Sequence, residues 1–153
     1  MQRSLTFVLV LALLFSPLPS KAAEEKARLG RVVWSAFQCA AFAEMSGKKR
    51  EHERLFEVAV KTGREFLEAL KSGQISREAV NSEVPIGITI YLAGPSTDFI
   101  LGRIFEAATG EAFDETVKQD DDQTPLQTWI QDEDLRTMKA ITKYIRNNCV
   151  LIR

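Results

Sequence analysis

Val84-Pro85-Ile86-Gly87-Ile88-Thr89-Ile90-Tyr91-Leu92 is the one segment of this 153-residue chain that reads two ways. Its apolar residues alternate and several are β-branched, which favours a strand by propensity. A strand needs a pairing partner, however, and no second convincing strand occurs elsewhere in the chain. Pro85 also suits the first turn of a helix, where its missing N–H costs nothing. The segment is therefore expected to be a buried helix, and the chain with it to be all-α.

Upstream, the stretch from Glu24 to Ser46 reads as a helix. It is rich in Ala and long side chains, opens on Glu24-Glu25 where the helix dipole favours anions, and stops at Gly47. Leu29, Val33, Phe37 and Ala40 or Ala41 recur at helical spacing, with Trp34 and Phe42 widening the apolar face. After the charged segment from Lys48 to Arg54, a second helix carries Leu55, Phe56, Val58, Ala59, Val60, Phe66, Leu67 and Leu70, and stops at Gly73. Glu53, Glu57, Lys61, Arg64, Glu65, Glu68 and Lys71 form its solvated side. Ser76 is placed to cap a short third helix reaching about Asn81.

Downstream, Gly94-Pro95-Ser96 breaks the chain, and Ser96 with Asp98 begins a further helix. Ile100, Leu101, Ile104, Phe105, Ala108, Ala112, Phe113 and Val117 are its expected inward face, and Gly94 and Gly102 are expected to permit close approach of neighbouring backbones. An acidic loop, Asp120-Asp121-Asp122-Gln123-Thr124-Pro125, follows. The last helix opens at Asp132 or Asp134, with Leu135, Met138, Ile141, Ile145 and Cys149 spaced as its core face.

The N-terminus has the three parts of an export signal. Gln2 and Arg3 precede an apolar run from Leu5 to Leu14, then Ser16, Pro17 and Pro19 break it ahead of Ser20-Lys21-Ala22-Ala23. The run is shorter than the roughly 18 to 20 residues a spanning helix needs. Cleavage after Ala22 puts small residues at both positions before the cut, so residues 1–22 are expected to be a cleavable signal peptide and 23–153 a single helical domain, with no stable membrane span after cleavage. Export to the periplasm, or beyond the cell, would expose the two cysteines, Cys39 and Cys149, to an oxidising compartment. A disulfide between them would close the ends of the domain, and the last helix would then pack beside the first. The whole is expected to be a small bundle of about five helices stapled by one disulfide.

Charge and motifs bound the function. The chain has 20 basic and 21 acidic residues, and loss of Arg3 and Lys21 leaves the mature part near −3. Such a balance does not suit nucleic-acid binding. No residue pattern carries a catalytic, cofactor or metal signature. His52, the only histidine, has no second His or Cys at metal spacing. Asp120, Asp121 and Asp122 lack the alternation and glycine of a calcium loop and read as a solvated turn.

The most individual stretch runs from Gly94 to Glu106. A helix N-terminus at Ser96 could meet an anion or a partner's carboxylate, although a plain cap explains the same residue. Asp98, Arg103 and Glu106 could form a local charge network, and the two carboxylates could serve acid–base chemistry on a glycan if they faced one cleft. Trp129, beyond the acidic loop, could anchor that loop or contact a partner. The candidate binding residues are thus Ser96, Asp98, Arg103, Glu106, Asp120, Asp121, Asp122 and Trp129. A small exported domain without a catalytic signature points to binding. The expectation is a cell-envelope protein that binds another protein, of inhibitor or immunity type. The alternatives are an enzyme on an envelope polymer, or a module holding a small ligand or serving in stress.

Overall fold

Two glycines cut the N-terminal half into helices. In the computed structural model, which describes residues 21–117 and 133–153, Gly47 and Gly73 have φ of 72° and 71°. Side chains disfavour that left-handed region, so the helix ends there. Helix α1 runs over Lys21–Met45 and α2 over Lys49–Lys71. Each ends in the same paired bonds. Gly47 N–H donates to the Glu44 carbonyl at 2.9 Å and Lys48 N–H to Ala43 at 2.8 Å, and Gly73 and Gln74 donate likewise to Leu70 and Ala69. Helix α1 already covers residues 21–23, ahead of the expected start at Glu24, and α2 begins in the charged segment, ahead of Leu55.

Two serines start later helices. Ser76 Oγ accepts from Ala79 N–H at 3.2 Å and opens α3, Arg77–Glu83. Ser96 Oγ accepts from Phe99 N–H at 3.1 Å and opens α5, Thr97–Val117. Between them lies α4, Ile86–Thr89. Helix α6, Glu133–Arg146, and a 3₁₀ turn at Cys149–Leu151 complete an all-α bundle, and no strand occurs among the described residues.

The segment that reads two ways is helical, but it is one turn rather than a buried helix. Val84 and Ile88 are buried while Ile86 and Ile90 are 77% and 60% exposed. In a strand all four would share a face, since side chains alternate with a period of two. The helical turn separates them, sending Val84 and Ile88 inward and Ile86 and Ile90 outward. Pro85 stands before this turn as its N-cap, not within it.

Helix α1 is the centre: it touches α2, α3, α4, α5, α6 and the 3₁₀ turn. Its small residues Ala27, Gly30, Ala36, Ala40 and Ala43 are buried and let the neighbours come close. Phe37, Phe66, Leu67, Ile88 and Ile104 fill one part of the core, and Phe42, Leu55, Tyr144 and the two cysteines the other.

The bond Cys39–Cys149 joins α1 to the 3₁₀ turn, with the two Cα atoms 5.5 Å apart across 110 residues of chain. A hydrogen-bonded group reinforces the closure. Arg54 of α2 donates to the Ile152 carbonyl at 2.6 Å, to the Cys149 carbonyl at 3.3 Å and to Glu51 at 2.8 Å, while Tyr144 Oη donates to Glu51 at 2.6 Å. The Arg54 guanidinium, followed by the Tyr144 hydroxyl, holds the Glu51 carboxyl down to about 2. Burial and the bond to Glu51 push the Tyr144 hydroxyl up to about 12.

These ties set the rotation of α6 and overturn its expected inward face. Ala140 and Tyr144 point into the bundle, whereas Leu135, Met138 and Ile145 are 38%, 65% and 66% exposed. Only Cys149 of the predicted set is fully buried, and it sits in the turn beyond the helix. Phe113, also expected inside, is 48% exposed on α5.

The shift at Glu51 has a sign. Because its folded value of about 2 lies below the ordinary 4.5, its contribution is present above about pH 4.5 and is lost as pH falls toward 2. Urea titrations should therefore show Glu51→Gln less stable than the parent at pH 7, with the difference shrinking progressively between those limits. A difference independent of pH would remove the ion-paired role.

Candidate functional site

Three phenylalanines from three helices floor a groove between α2 and α5. Phe37 of α1 lies beneath, and Phe56 of α2 and Phe105 of α5 lean on it with ring centroids 5.9 and 5.3 Å away. Phe56 and Phe105 meet edge to face at 5.5 Å, the arrangement favoured by the aromatic quadrupole. The hollow has a volume of about 330 Å³ and is bounded further by Val60, Arg64, Asp98, Leu101 and Gly102.

Helical spacing explains why these residues meet. On α2, Phe56, Val60 and Arg64 are four apart; on α5, Asp98, Gly102 and Phe105 follow at four and three, so each set lines one side of its helix. Gly102 keeps the hollow open, since a Cβ there would meet nothing within 4 Å. Phe56 remains 39% exposed. At one end Arg64 donates to Asp98 Oδ1 at 3.0 Å, and both side chains are well exposed. Near the other end the His52 ring stacks against Phe56 at 6.4 Å, while its Nδ1 lies 3.1 Å from the Ala40 carbonyl.

The residues singled out between positions 94 and 106 divide between two sides of α5. Asp98 lines the groove; Ser96 caps the helix. Arg103 lies on another side, donating to the Ala93 carbonyl at 2.9 Å with its guanidinium 4.7 Å from the Tyr91 ring centroid and 5.9 Å from that of Phe99. Such cation–aromatic contacts fix the guanidinium in place. Glu106 is exposed and, among the described residues, bonds to neither Asp98 nor Arg103, so the expected charge network is instead Arg64 with Asp98. Asp98 and Glu106 stand eight residues apart on one helix, about 12 Å along its axis, and do not face each other across a cleft. Asp120, Asp121, Asp122 and Trp129 lie outside the described residues.

The two glycines expected to admit close backbones behave differently. A Cβ at Gly94 would press on the side chains of Phe99 and Ile100, but Gly102 borders open space. The aromatic floor was not foreseen from sequence, although Phe56, Val60 and Arg64 carry the spacing that would have marked it. The Glu51–Arg54–Tyr144 group was hidden too, because Tyr144 lies 93 residues from Glu51.

Fold and groove together define a disulfide-closed all-α domain that presents an open aromatic hollow beside a charged pair. Comparison with protein-family models, curated proteins and solved structures finds no match. The reading of the site rests on its own geometry.

Gly102→Ala should raise stability by about 0.5 to 1 kcal/mol, because it adds helix propensity without a clash. Gly63→Ala on α2 should lower it, since a Cβ there would overlap the Leu101 side chain. Thermal melts of the two variants check both signs.

Proposed function

We propose that this chain is an exported cell-envelope protein that acts by binding another protein, as an inhibitor or immunity-type protein does. The α2–α5 groove receives a large apolar side chain from an amphipathic segment of that partner, and Arg64 and Asp98 meet polar groups beside it. The observation that carries this reading is the open aromatic floor: Phe56 is 39% exposed beside a residue with no side chain. Aromatic anchor sites ringed by polar groups are where binding energy concentrates at interfaces.

The alternatives find less support in the geometry. Hydrolysis of a glycan needs carboxylates on opposite sides of a bond, roughly 5 to 10 Å apart, and Asp98 and Glu106 lie along one helix. Small-molecule sites enclose most of their ligand in about 300 to 1,000 Å³. The groove, at about 330 Å³, sits at the lower limit and is open on one side, which suits a protruding side chain better.

Export rests on the apolar run and small residues of the first 22 positions. Lys21 and Ala22 are exposed and Ala23 is the first buried residue of α1, so trimming after Ala22 removes no core side chain. Mass spectrometry of the natural product is expected to find a chain beginning at Ala23 and lighter by two hydrogens than its reduced form. An intact N-terminus or two free thiols would overturn the proposal for compartment.

The groove is tested by affinity capture from envelope extract, using the mature oxidised protein and its Gly102→Leu variant side by side. Leucine at 102 adds bulk to the lining of the hollow, at a position where a Cβ meets nothing within 4 Å. The parent is expected to recover one stoichiometric partner that the variant loses with no fall in melting temperature. Equal recovery by both would remove the groove from the interface, and repeated recovery of nothing would count against binding itself.

A further inference from the structure

Each of the two rings that α2 and α5 contribute to the hollow is followed in the chain by a glutamate, Phe56-Glu57 and Phe105-Glu106. One residue turns about 100° around a helix, so a ring aimed into the hollow leaves the next side chain on its rim. The turn is outward in both cases, because the buried Ala59 and Ala108 lie in the opposite direction from the rings. Glu53 falls about 60° from Phe56 in the outward sense, on the side that Val60 and Arg64 occupy. All three glutamates are exposed. Among the described residues their carboxylates make no hydrogen bond or ion pair.

The two helices run antiparallel, since Arg64 meets Asp98 at one end and Phe56 meets Phe105 at the other. Glu57 and Glu106 therefore stand at one level, one on each side of the opening. Arg64 is the only cation among the lining residues and is already engaged with Asp98. Lys61 lies about 140° from Phe56, past the outermost line of α2, and Lys49 is about two turns away along the helix. An apolar floor thus sits between two acidic rims.

Such a site selects its occupant by backbone and by charge. Helices α2 and α5 satisfy their own backbone groups, so the hollow offers no row of N–H and C=O to an extended strand. A helix satisfies its own backbone, and it can lower one apolar side chain while residues on its two flanks reach the rims. Cations on those flanks meet opposite charge, whereas anions meet like charge. The geometry points to a cationic amphipathic helix as the segment that the partner places on the groove. Its apolar side chain enters the hollow, and Lys or Arg on its flanks pair with Glu57 and Glu106, with Glu53 one turn further along. This assignment rests on the reading of the groove as a protein-binding site. Exposed ion pairs contribute little singly, so the rims choose among helices while the aromatic floor holds the one chosen.

Two synthetic peptides of about 18 residues, long enough to populate a helix, test it by isothermal titration of the mature oxidised protein. Both carry the same leucine stripe, and one has Lys where the other has Glu on the flanks. The Lys peptide is expected to bind about tenfold more tightly in about 50 mM salt, with the ratio closing near 0.5 M. The double variant Glu57→Lys/Glu106→Lys should invert the preference. Glu25→Lys/Glu65→Lys, the same charge change at exposed positions away from the hollow, should leave it in place. Gly102→Leu should weaken the Lys peptide, and a proline at the centre of that peptide should abolish binding. Retention by the proline peptide would overturn the helical form. Equal or tighter binding of the Glu peptide, still weakened by Gly102→Leu, would overturn the charge assignment and leave the groove standing. Lys-peptide binding that Gly102→Leu does not weaken would place the contact elsewhere and overturn both readings. Binding of neither peptide up to about 1 mM would overturn the cationic helix, with the groove still judged by the capture experiment.

Discussion

The sulfur–sulfur link between Cys39 and Cys149 acts on orientation as much as on stability. It fastens the turn after α6 to the C-terminal half of α1, and Arg54 holds the carbonyls of Cys149 and Ile152 from the α2 side. With Tyr144 bonded to Glu51, α6 is pinned at one end and along one side. A helix left to its own hydrophobic pattern would turn Met138 and Ile145 toward the core. Here a covalent bond and a charge-assisted hydrogen-bond group outweigh that preference, which for two partly exposed side chains amounts to only a few kcal/mol. A link closing a loop of about a hundred residues supplies roughly 4 to 5 kcal/mol by itself in the chain-entropy view.

The groove follows from how α1 is built. Its buried alanines and Gly30 leave room for close neighbours, Gly30 for Val84 and Phe66, whereas at Phe37 a large ring lies against both Phe56 and Phe105. Phe56 and Phe105 rest on that ring rather than on each other's backbone, so the two helices stand apart there. Gly102 leaves the gap unfilled. A side chain in its place would narrow the gap, since a Cβ there meets nothing within 4 Å.

Local signals told the truth about where helices begin and end. Gly47, Gly73, Ser76 and Ser96 act through their own backbone and side chain within a few residues, so the stops and caps expected of them appear in the structure. The all-α class and the Cys39–Cys149 pairing were legible for related reasons: one from the lack of a partner strand, the other from a count of two. What could not be read was rotation. The spacing of Leu135, Met138 and Ile145 defines an apolar face but not the direction it points, and that direction is set by Glu51, Arg54 and Cys39, some hundred residues away. The same holds for Phe113 and for the groove, whose floor needs three helices at once. The segment from Val84 to Leu92 was half legible. Its helical nature followed from the missing partner, but its single turn and its outward Ile86 and Ile90 depend on how tightly it is folded against α1.

That corner also carries an optical property. The half-buried Trp34 indole brings its distal edge so close to Gly87 that any Cβ there would overlap the ring. An indole's emission depends on how much water it meets. Lifting residues 84–92 off α1 would uncover that part of the ring and redden its fluorescence. Trp34 is thus a built-in dye for this corner, read by itself once Trp129, the second of the chain's two tryptophans, is replaced.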